Sequence, residues 1–404
     1  MLRAQVLLLA TLASISCTPR QAPFAHRDPT FETQPAPDAA VPPAPDDSVF
    51  ADVITSPQPP ASMEGLAGKV MQLCDESDAA LAEVALKLAH RLQQGGAIPD
   101  TAEIAYEIRA AGAPYVWPRA WSLSGGGIDD ASATKRAAAW LGGIAKLGTR
   151  RCGAARVRGE SEALVLLLSD VVADLSPLAS RARTGQWLSF SAKLLVPATD
   201  AKLVLLGPRG APKPVPTQFD RGIARARFAA SEPGPWTAQL LADLDVGPRP
   251  VAEAMFFADV APPAAYAPHP APGELSDAST DPEAQLLRMV NAARMSERIS
   301  PLSRSKDLDA IAQAHASAMH EKKVLAHDLG AGGLAARIQT AGLHFTGYGE
   351  NIARAQSPAR AHRVIWASPS HRSNVVDPRY TQIGIGVVEA AGTLWVCEVF
   401  ATQR

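Results

Sequence analysis

The sequence predicts mixed α/β domains with an antiparallel β-sandwich between them, and three patterns support this prediction. Apolar residues recur at three- and four-residue spacing over residues 66–92, and a strand-like apolar run follows at 163–168. Short alternating runs separated by Gly and Pro then fill residues 180–259. Helical periodicity returns after Asp281 and ends in the alternating run 394–400.

Length and composition bound the class of protein. A chain of 404 residues suggests two or three domains, and 47% hydrophobic residues are enough for packed cores. The formal net charge is −1 and no dense Lys/Arg run occurs, so no field would attract nucleic acid. Nucleic acid is therefore not an expected partner.

The N-terminus has the pattern of an export signal, which we assign to residues 1–17. Arg3 precedes an apolar stretch that is too short to span a bilayer. Cys17 follows small residues, which resembles a bacterial lipoprotein signal and implies lipidation of Cys17 and attachment to a membrane. By the same resemblance, Thr18 implies an outer-membrane lipoprotein. Ser14 stands where that signal normally has Leu, so ordinary cleavage and secretion remains the alternative.

Export implies an oxidising compartment in which the remaining cysteines can pair. Cys397 lies in the alternating run near the C-terminus, where we expect a small buried core residue. The predicted disulfide therefore joins Cys74 and Cys152. No Cys spacing typical of a metal site occurs.

Composition divides the rest of the chain into segments. Residues 18–61 are rich in Pro, Ala and Asp without apolar periodicity, and we expect an extended, mobile tether. We assign 62–177 to a mixed α/β domain and 178–260 to an immunoglobulin-like β-sandwich that acts as a spacer or adhesive surface. A second Pro/Ala-rich linker, 261–280, leads to a C-terminal domain at 281–404.

Two clusters in the C-terminal domain carry a family resemblance. They are Gly349-Glu350-Asn351 and Ser368-Pro369-Ser370-His371-Arg372-Ser373-Asn374, with His327 upstream and Ile383-Gly384-Ile385-Gly386-Val387 downstream. The segment 281–404 resembles the CAP/SCP superfamily of cysteine-rich secretory, antigen 5 and pathogenesis-related proteins, in its compact bacterial form. That resemblance implies an α-β-α sandwich.

The resemblance also implies a cleft lined by His327, Glu350 and His371. The second glutamate of eukaryotic members has no counterpart here. Two imidazoles and one carboxylate suit a divalent metal such as zinc with an open fourth position. The same groups could instead act as general base and acid, or form an inert polar cleft in which Glu350 orients both histidines. We expect His315 to be a packed structural residue rather than a ligand.

Weak internal symmetry suggests that residues 62–177 are a degenerate copy of the CAP fold, without the histidines and the Gly-Glu-Asn turn. The alternative is an unrelated α/β domain. The matched pairs of segments occur in the same order and are 78–92 with 307–321, 108–112 with 338–342, and 151–153 with 383–385.

Taken together, these observations predict an exported cell-envelope protein whose CAP domain binds a ligand, a lipid or a partner protein in the cleft, with a divalent metal as an optional component. Two alternatives stay open. One is a metal-assisted hydrolase of peptide or cell-wall substrates, and the other is a structural adhesin that uses the sandwich. We favour binding over catalysis, and the superfamily that this segment resembles has no single established chemistry.

Overall fold

The computed structural model describes residues 50–245, 247–274, 281–330 and 332–402. The predicted signal peptide, Cys17 and most of the predicted tether lie outside these residues. Within the described ranges, no helix is both long enough and apolar enough to cross a membrane.

The first domain is a four-stranded sheet packed between helices. Asp78, Asp100 and Asp129 accept hydrogen bonds from the first backbone N–H groups of its three longer helices, which explains where these helices begin. The elements are β1 (Val53–Ile54), α1 (Gly65–Met71), β2 (Glu76–Ser77), α2 (Ala79–Gln93), α3 (Thr101–Ala110), β3 (Arg119–Gly125), α4 (Asp130–Gly142), β4 (Thr149–Val157) and β5 (Glu162–Val171). The strand order is β2-β4-β5-β3, with β2 parallel to β4 and the other pairs antiparallel.

The central strand β5 explains the uninterrupted apolar run at 163–168, because both of its faces are covered. Val165 and Leu167 pack with α2 and α3, whereas Leu164, Leu166 and Leu168 pack with α1 and α4. The predicted strand is confirmed.

The predicted disulfide between Cys74 and Cys152 is confirmed. The two residues are bonded with their Cα atoms 6.1 Å apart, and Cys152 is fully buried in β4. Cys397 is free and buried, as the alternating pattern predicted.

The predicted tether ends earlier than residue 61. Phe50 is buried against the rings of Tyr106 and Phe257. The Ala51 N–H donates to the carbonyl of Ala110, at the end of α3. Residues 50–61 therefore pack against the folded part, because Phe50 and the strand β1 attach this Pro-rich stretch to it.

The β-sandwich contains one four-stranded and one five-stranded sheet. Its strands are β6 (Ala173–Leu175), β7 (Leu178–Ala179), β8 (Arg181–Ala182), β9 (Trp187–Leu194), β10 (Asp200–Leu206), β11 (Lys213–Val215), β12 (Thr217–Asp220), β13 (Ile223–Ala229), β14 (Gly234–Leu244) and β15 (Gly247–Ala258). The sheets run β12-β13-β9-β6 and β11-β10-β14-β15-β8, and β1 pairs with β7. Two details differ from expectation: the first strand begins before residue 178, and β15 and β8 are parallel.

The C-terminal domain has three layers. Its elements are α5 (Pro282–Ser296), β16 (Ser303–Arg304), α6 (Lys306–Lys322), α7 (Leu334–Thr340), β17 (Gly347–Ala355), α8 (Pro358–Ala367), α9 (Pro369–Val375), β18 (Gln382–Ala390) and β19 (Thr393–Thr402). The sheet runs β16-β18-β19-β17. One face packs against α5, α8 and α9, and the other packs against α6 and α7.

A buried arginine fastens the segment that follows α9. Arg294 is 1% exposed, and its guanidinium donates to the carbonyls of Val375, Asp377 and Tyr380 at 2.8–3.1 Å. Its Nε donates to the carbonyl of Ser300 at 2.7 Å. One side chain therefore satisfies four carbonyls and joins the segment after α5 to the end of α9 and the segment that follows it.

The first and last domains have the same strand order, in which the first strand is followed by the third, the fourth and the second. In both sheets the short first strand is parallel to the third, and the other neighbouring pairs are antiparallel. In both, a glycine of the third strand lies under the helix that follows the first strand. A Cβ at Gly153 would collide with the backbone of Ala82, and one at Gly384 with the backbone of Leu308. These are features that a degenerate copy requires, and the duplication stays a prediction.

The strand register shows what the first sheet has in place of the polar turn. Gly153 is paired with Leu167, which is paired with Ala120 on its other side. In the C-terminal sheet, Gly384 is paired with Val399, and Val399 with Glu350. Ala120 therefore occupies in the first sheet the place that Glu350 occupies in the second.

The described part of the linker is packed against α3 and α8. The hydroxyl of Tyr106 donates to the carbonyl of Pro263 at 3.4 Å. His362 Nε2 lies 3.2 Å from the carbonyl oxygen of Pro272, and Glu274 forms a 2.7 Å salt bridge with Arg363. Residues 261–274 therefore connect the first and last domains through side-chain contacts.

The disulfide should contribute strongly to the stability of the first domain. We expect reduction to lower the free energy of unfolding of the wild type by about 2–5 kcal/mol, since the cross-link restricts the unfolded chain. Urea unfolding with and without reductant measures this. The double variant Cys74→Ala/Cys152→Ala is the control, because its stability should not respond to reductant. Equal wild-type stabilities in the two conditions would contradict the prediction.

Candidate functional site

The site is centred on the carboxylate of Glu350, in β17. Its side chain is 3% exposed, and Oε1 lies 2.8 Å from Nδ1 of His327. Oε2 forms a 2.7 Å salt bridge with Arg337, and the thiol of Cys397 donates to it at 3.4 Å. Burial alone would raise the pKa of Glu350, but the His327 hydrogen bond and the Arg337 charge outweigh it and hold that pKa below its usual value.

His327 is therefore oriented by an ionised carboxylate. An anionic Glu350 can only accept, so Nδ1 of His327 carries the proton and donates. This tautomer leaves Nε2 as a hydrogen-bond acceptor, and no described residue bonds to it. The side chain of His327 is 23% exposed, so the ring is accessible from one side.

Arg337 is a site residue that the sequence analysis missed. It lies on α7, and besides the salt bridge to Glu350 its Nη2 donates to the carbonyl of His327 at 3.2 Å. One guanidinium thus fixes both members of the hydrogen-bonded pair. The neighbouring residues 338–342 were part of a prediction only through the internal symmetry. Nothing in the sequence around Arg337 distinguishes it from a surface arginine.

His371 lies on α9 and is not joined to Glu350. In the described part of the chain, its ring has no hydrogen bond to either of the other predicted site residues. Burial, with a smaller contribution from His327, lowers the pKa of His371 to about 3, so the ring is neutral at physiological pH. Glu350 therefore orients His327 alone, and the interpretation in which it holds both histidines is wrong.

Two asparagines tie α9 to β17. Nδ2 of Asn351 donates to the carbonyl of His371 and to Oε2 of Glu398, both at 3.2 Å. Nδ2 of Asn374 donates to Oδ1 of Asn351 at 2.9 Å and to the backbone carbonyl of Glu350 at 3.1 Å. These bonds place the helix that carries His371 relative to the Glu350 turn.

Glycine is required at position 349 because polar side chains lie close to its Cα atom. A Cβ at that position would lie 2.6 Å from the hydroxyl of Tyr380 and 2.7 Å from Oδ1 of Asn374. Both distances are shorter than van der Waals contact, so a side chain here would displace Asn374.

Glu398 is a second buried carboxylate beside the site, and the sequence analysis did not anticipate it. It is fully buried in β19, and Asn351 is the partner of Oε2, whereas Oε1 has no partner among the described residues. Burial raises the pKa of Glu398 to about 7. Near neutral pH this group is therefore partly protonated.

His315 is buried and hydrogen-bonded, as predicted for a structural residue, and it lies beside the site. Its Nε2 lies 2.9 Å from the carbonyl oxygen of Ala326 and 3.9 Å from Oε1 of Glu350, and burial lowers its pKa. A pocket of about 150 Å³ lies beside it, with Lys322 and Arg337 in its lining.

The predicted metal ligands do not form a ready metal site. Both oxygens of Glu350 are engaged, and the positive charge of Arg337 occupies one of them. Across the residues that the structure describes, no group of three or more His, Cys, Asp or Glu side chains is placed to hold a metal ion. Glu350 does not fit the role of a direct ligand, and zinc binding by His327 and His371 stays a prediction.

Glu398 should make the stability of the C-terminal domain depend on pH. Its folded-state pKa of about 7 lies above the ordinary 4.5, so its contribution is present below about pH 4.5 and is lost as the pH rises through 7. We expect wild type to lose roughly 2–3 kcal/mol relative to Glu398→Gln between about pH 5 and about pH 8. Urea unfolding across this range measures the difference, and parallel pH profiles would contradict the prediction.

Sequence comparison places this domain among known proteins. Residues 287–399 match the model of the cysteine-rich secretory protein family, CAP. The uncharacterized protein YkwD of Bacillus subtilis is 30% identical over 115 residues, which are 28% of this chain and 44% of that protein. The chain thus spans less than half the length of this curated relative.

The solved structures that this chain resembles match it with low TM-scores. An outer surface protein of Borrelia burgdorferi has a TM-score of 0.30 at 17% identity, covering 31% of this chain and 95% of that one. An extracellular SCP-domain protein of Bacillus anthracis has a TM-score of 0.29 at 15% identity, covering 57% and 86%. A cysteine-rich secretory protein of Staphylococcus aureus has a TM-score of 0.27 at 13% identity, covering 58% and 81%.

The family assignment therefore depends on the two sequence matches, which lie in the segment that contains His327, Glu350 and His371. The C-terminal domain of this chain is a CAP domain of the cysteine-rich secretory protein family.

Proposed function

We propose that this chain is an exported cell-envelope protein whose CAP domain binds a ligand at the cleft of His327, Glu350 and His371. The observation that carries the proposal is the 2.8 Å contact that fixes His327 on Glu350 and leaves Nε2 free. A fixed, partly exposed acceptor is suited to a ligand that presents an N–H or O–H group. Amide and hydroxyl groups of envelope peptides and glycans have this chemistry.

The disulfide supports export. A bond between Cys74 and Cys152 persists in an oxidising compartment, and cytosolic proteins are kept reduced. The signal-like sequence ending at Cys17 is consistent with this compartment. Lipidation of Cys17 would attach the protein to a membrane, and outer-membrane attachment or secretion both belong to the proposal.

Binding is favoured over catalysis by the protonation states in the site. The ring of His371 is neutral at physiological pH, since its pKa is about 3, so it cannot serve there as a general acid. Burial raises the pKa of the Cys397 thiol well above its usual range, so this residue is not a nucleophile. His327 is then the accessible proton acceptor of the cleft.

A hydrolase of peptide or cell-wall substrates is the second candidate. The hydrogen bond from His327 to Glu350 is also the arrangement that orients a general base. In that case His327 would activate water, and the products of bond cleavage would be detectable.

The test uses the mature chain with soluble peptidoglycan fragments as probes. We expect His327→Ala to weaken binding of a fragment by about tenfold or more, because the fixed acceptor is lost. His344→Ala is the matched control, since His344 is an exposed histidine of the same domain. Titration calorimetry measures affinity. Equal affinities in wild type and His327→Ala would overturn the proposal, whereas cleaved fragments that disappear in His327→Ala would support the hydrolase.

Zinc binding should depend on Arg337. We expect Arg337→Met to tighten zinc binding about tenfold, because it frees an oxygen of Glu350 and removes a like charge. Arg360→Met, at a half-exposed arginine of the same domain, should leave zinc affinity unchanged. Calorimetric zinc titration of the three proteins tests this. Tight wild-type binding that Glu350→Gln abolishes would show instead that Glu350 is a direct ligand.

A further inference from the structure

The helix that carries His371 is capped by another domain. Ser368 precedes α9, but its side chain makes no capping hydrogen bond. The backbone N–H of Ser370 instead donates to Oε1 of Gln239, on β14 of the sandwich, at 3.0 Å. Nε2 of the same amide lies 3.4 Å from the Ser368 hydroxyl. Because α9 has seven residues, it is too short to be stable without such contacts.

The Gln239 cap is part of a network of polar side chains that connects all three domains. Gln239 is 2% exposed, and its Nε2 donates to Oε2 of Glu253, on β15, at 2.7 Å. Oε1 of Glu253 forms a 2.9 Å salt bridge with Arg109, on α3 of the first domain. The side chains of this pair are 13% and 16% exposed, so both charges depend on each other and on Gln239 for compensation.

Strand β15 also borders the other histidine. Gly247 begins β15, and a Cβ at this position would lie 3.3 Å from Cβ of His327. A larger side chain at Gly247 would therefore press on His327. The sandwich thus meets the cleft at both of its histidines, once through the backbone of α9 and once beside Cβ of His327.

We propose that the β-sandwich restricts access to the CAP cleft, because Gln239 holds α9 and with it the half-buried His371, and that access increases when the Gln239 contacts are released. This inference rests on the proposal that the cleft is the working site. It assigns the sandwich a regulatory role, because separating β14 from α9 would free the helix that carries His371.

The test measures how readily each histidine of the full chain reacts with diethyl pyrocarbonate, followed by peptide mass mapping. We expect wild-type His371 to react much more slowly than the exposed His344. Gln239→Met keeps the side-chain volume but removes the cap, and we expect it to raise the His371 rate about fivefold, the population change that loss of one hydrogen bond produces. Gln218→Met is the control, since Gln218 is exposed on β12 of the other sheet.

Buried His315 serves as the marker of general loosening, because it lies on the far side of the CAP sheet, on α6. A selective rise at His371 with unchanged His315 supports the proposal. An unchanged His371 rate in a folded Gln239→Met variant would overturn it, as would an equal rise at His315 or a wild-type His371 that reacts as fast as His344. Labelling reports access to the cleft without any ligand, so its outcome is independent of the binding test with peptidoglycan fragments.

Discussion

The charge of Glu350 is the constraint on which the CAP site depends. An ionised carboxylate almost removed from water is stable only when its oxygens are compensated. Here the compensation comes from Arg337 on α7, from His327 in the loop after α6, and from Cys397 on β19. One buried charge thereby fixes the relative positions of three segments that are distant in sequence. The orientation of His327, and with it the free Nε2, is a consequence of this compensation.

The short helix α9 is held from both ends by side chains of other elements. Gln239 satisfies an N–H group at its start, and Arg294 satisfies the carbonyls of Val375 and Asp377 at and just beyond its end. Helix ends leave backbone groups unpaired, and a seven-residue helix has few internal bonds to offset that cost. The position of His371 therefore depends on the sandwich and on α5 as much as on its own sequence.

The sequence predicted the local features of the site and missed its long-range partners. The Gly-Glu-Asn turn and His327 were recognisable because their residue types and order are distinctive, and the disulfide followed from counting cysteines. Arg337, Glu398 and Gln239 carry no local signal. Glu398 lies on an alternating strand where a charged residue normally indicates a solvent-facing position, yet it is fully buried and bonded to Asn351. Gln239 is 131 residues from Ser370, and a contact at that separation exists only once the domains have docked.

The matching registers of the two sheets have a consequence for the order of folding. In the first sheet Ala120, Trp121 and Leu166 stand where the CAP sheet has Glu350, Asn351 and Glu398. This part of the first core therefore forms without aligning a buried carboxylate at these three positions. Because the N-terminal part of a chain is synthesised first, the first domain can complete its core while the CAP segment is still being made. The charged CAP core then assembles beside a surface that is already rigid, which limits the wrong pairings available to its polar groups.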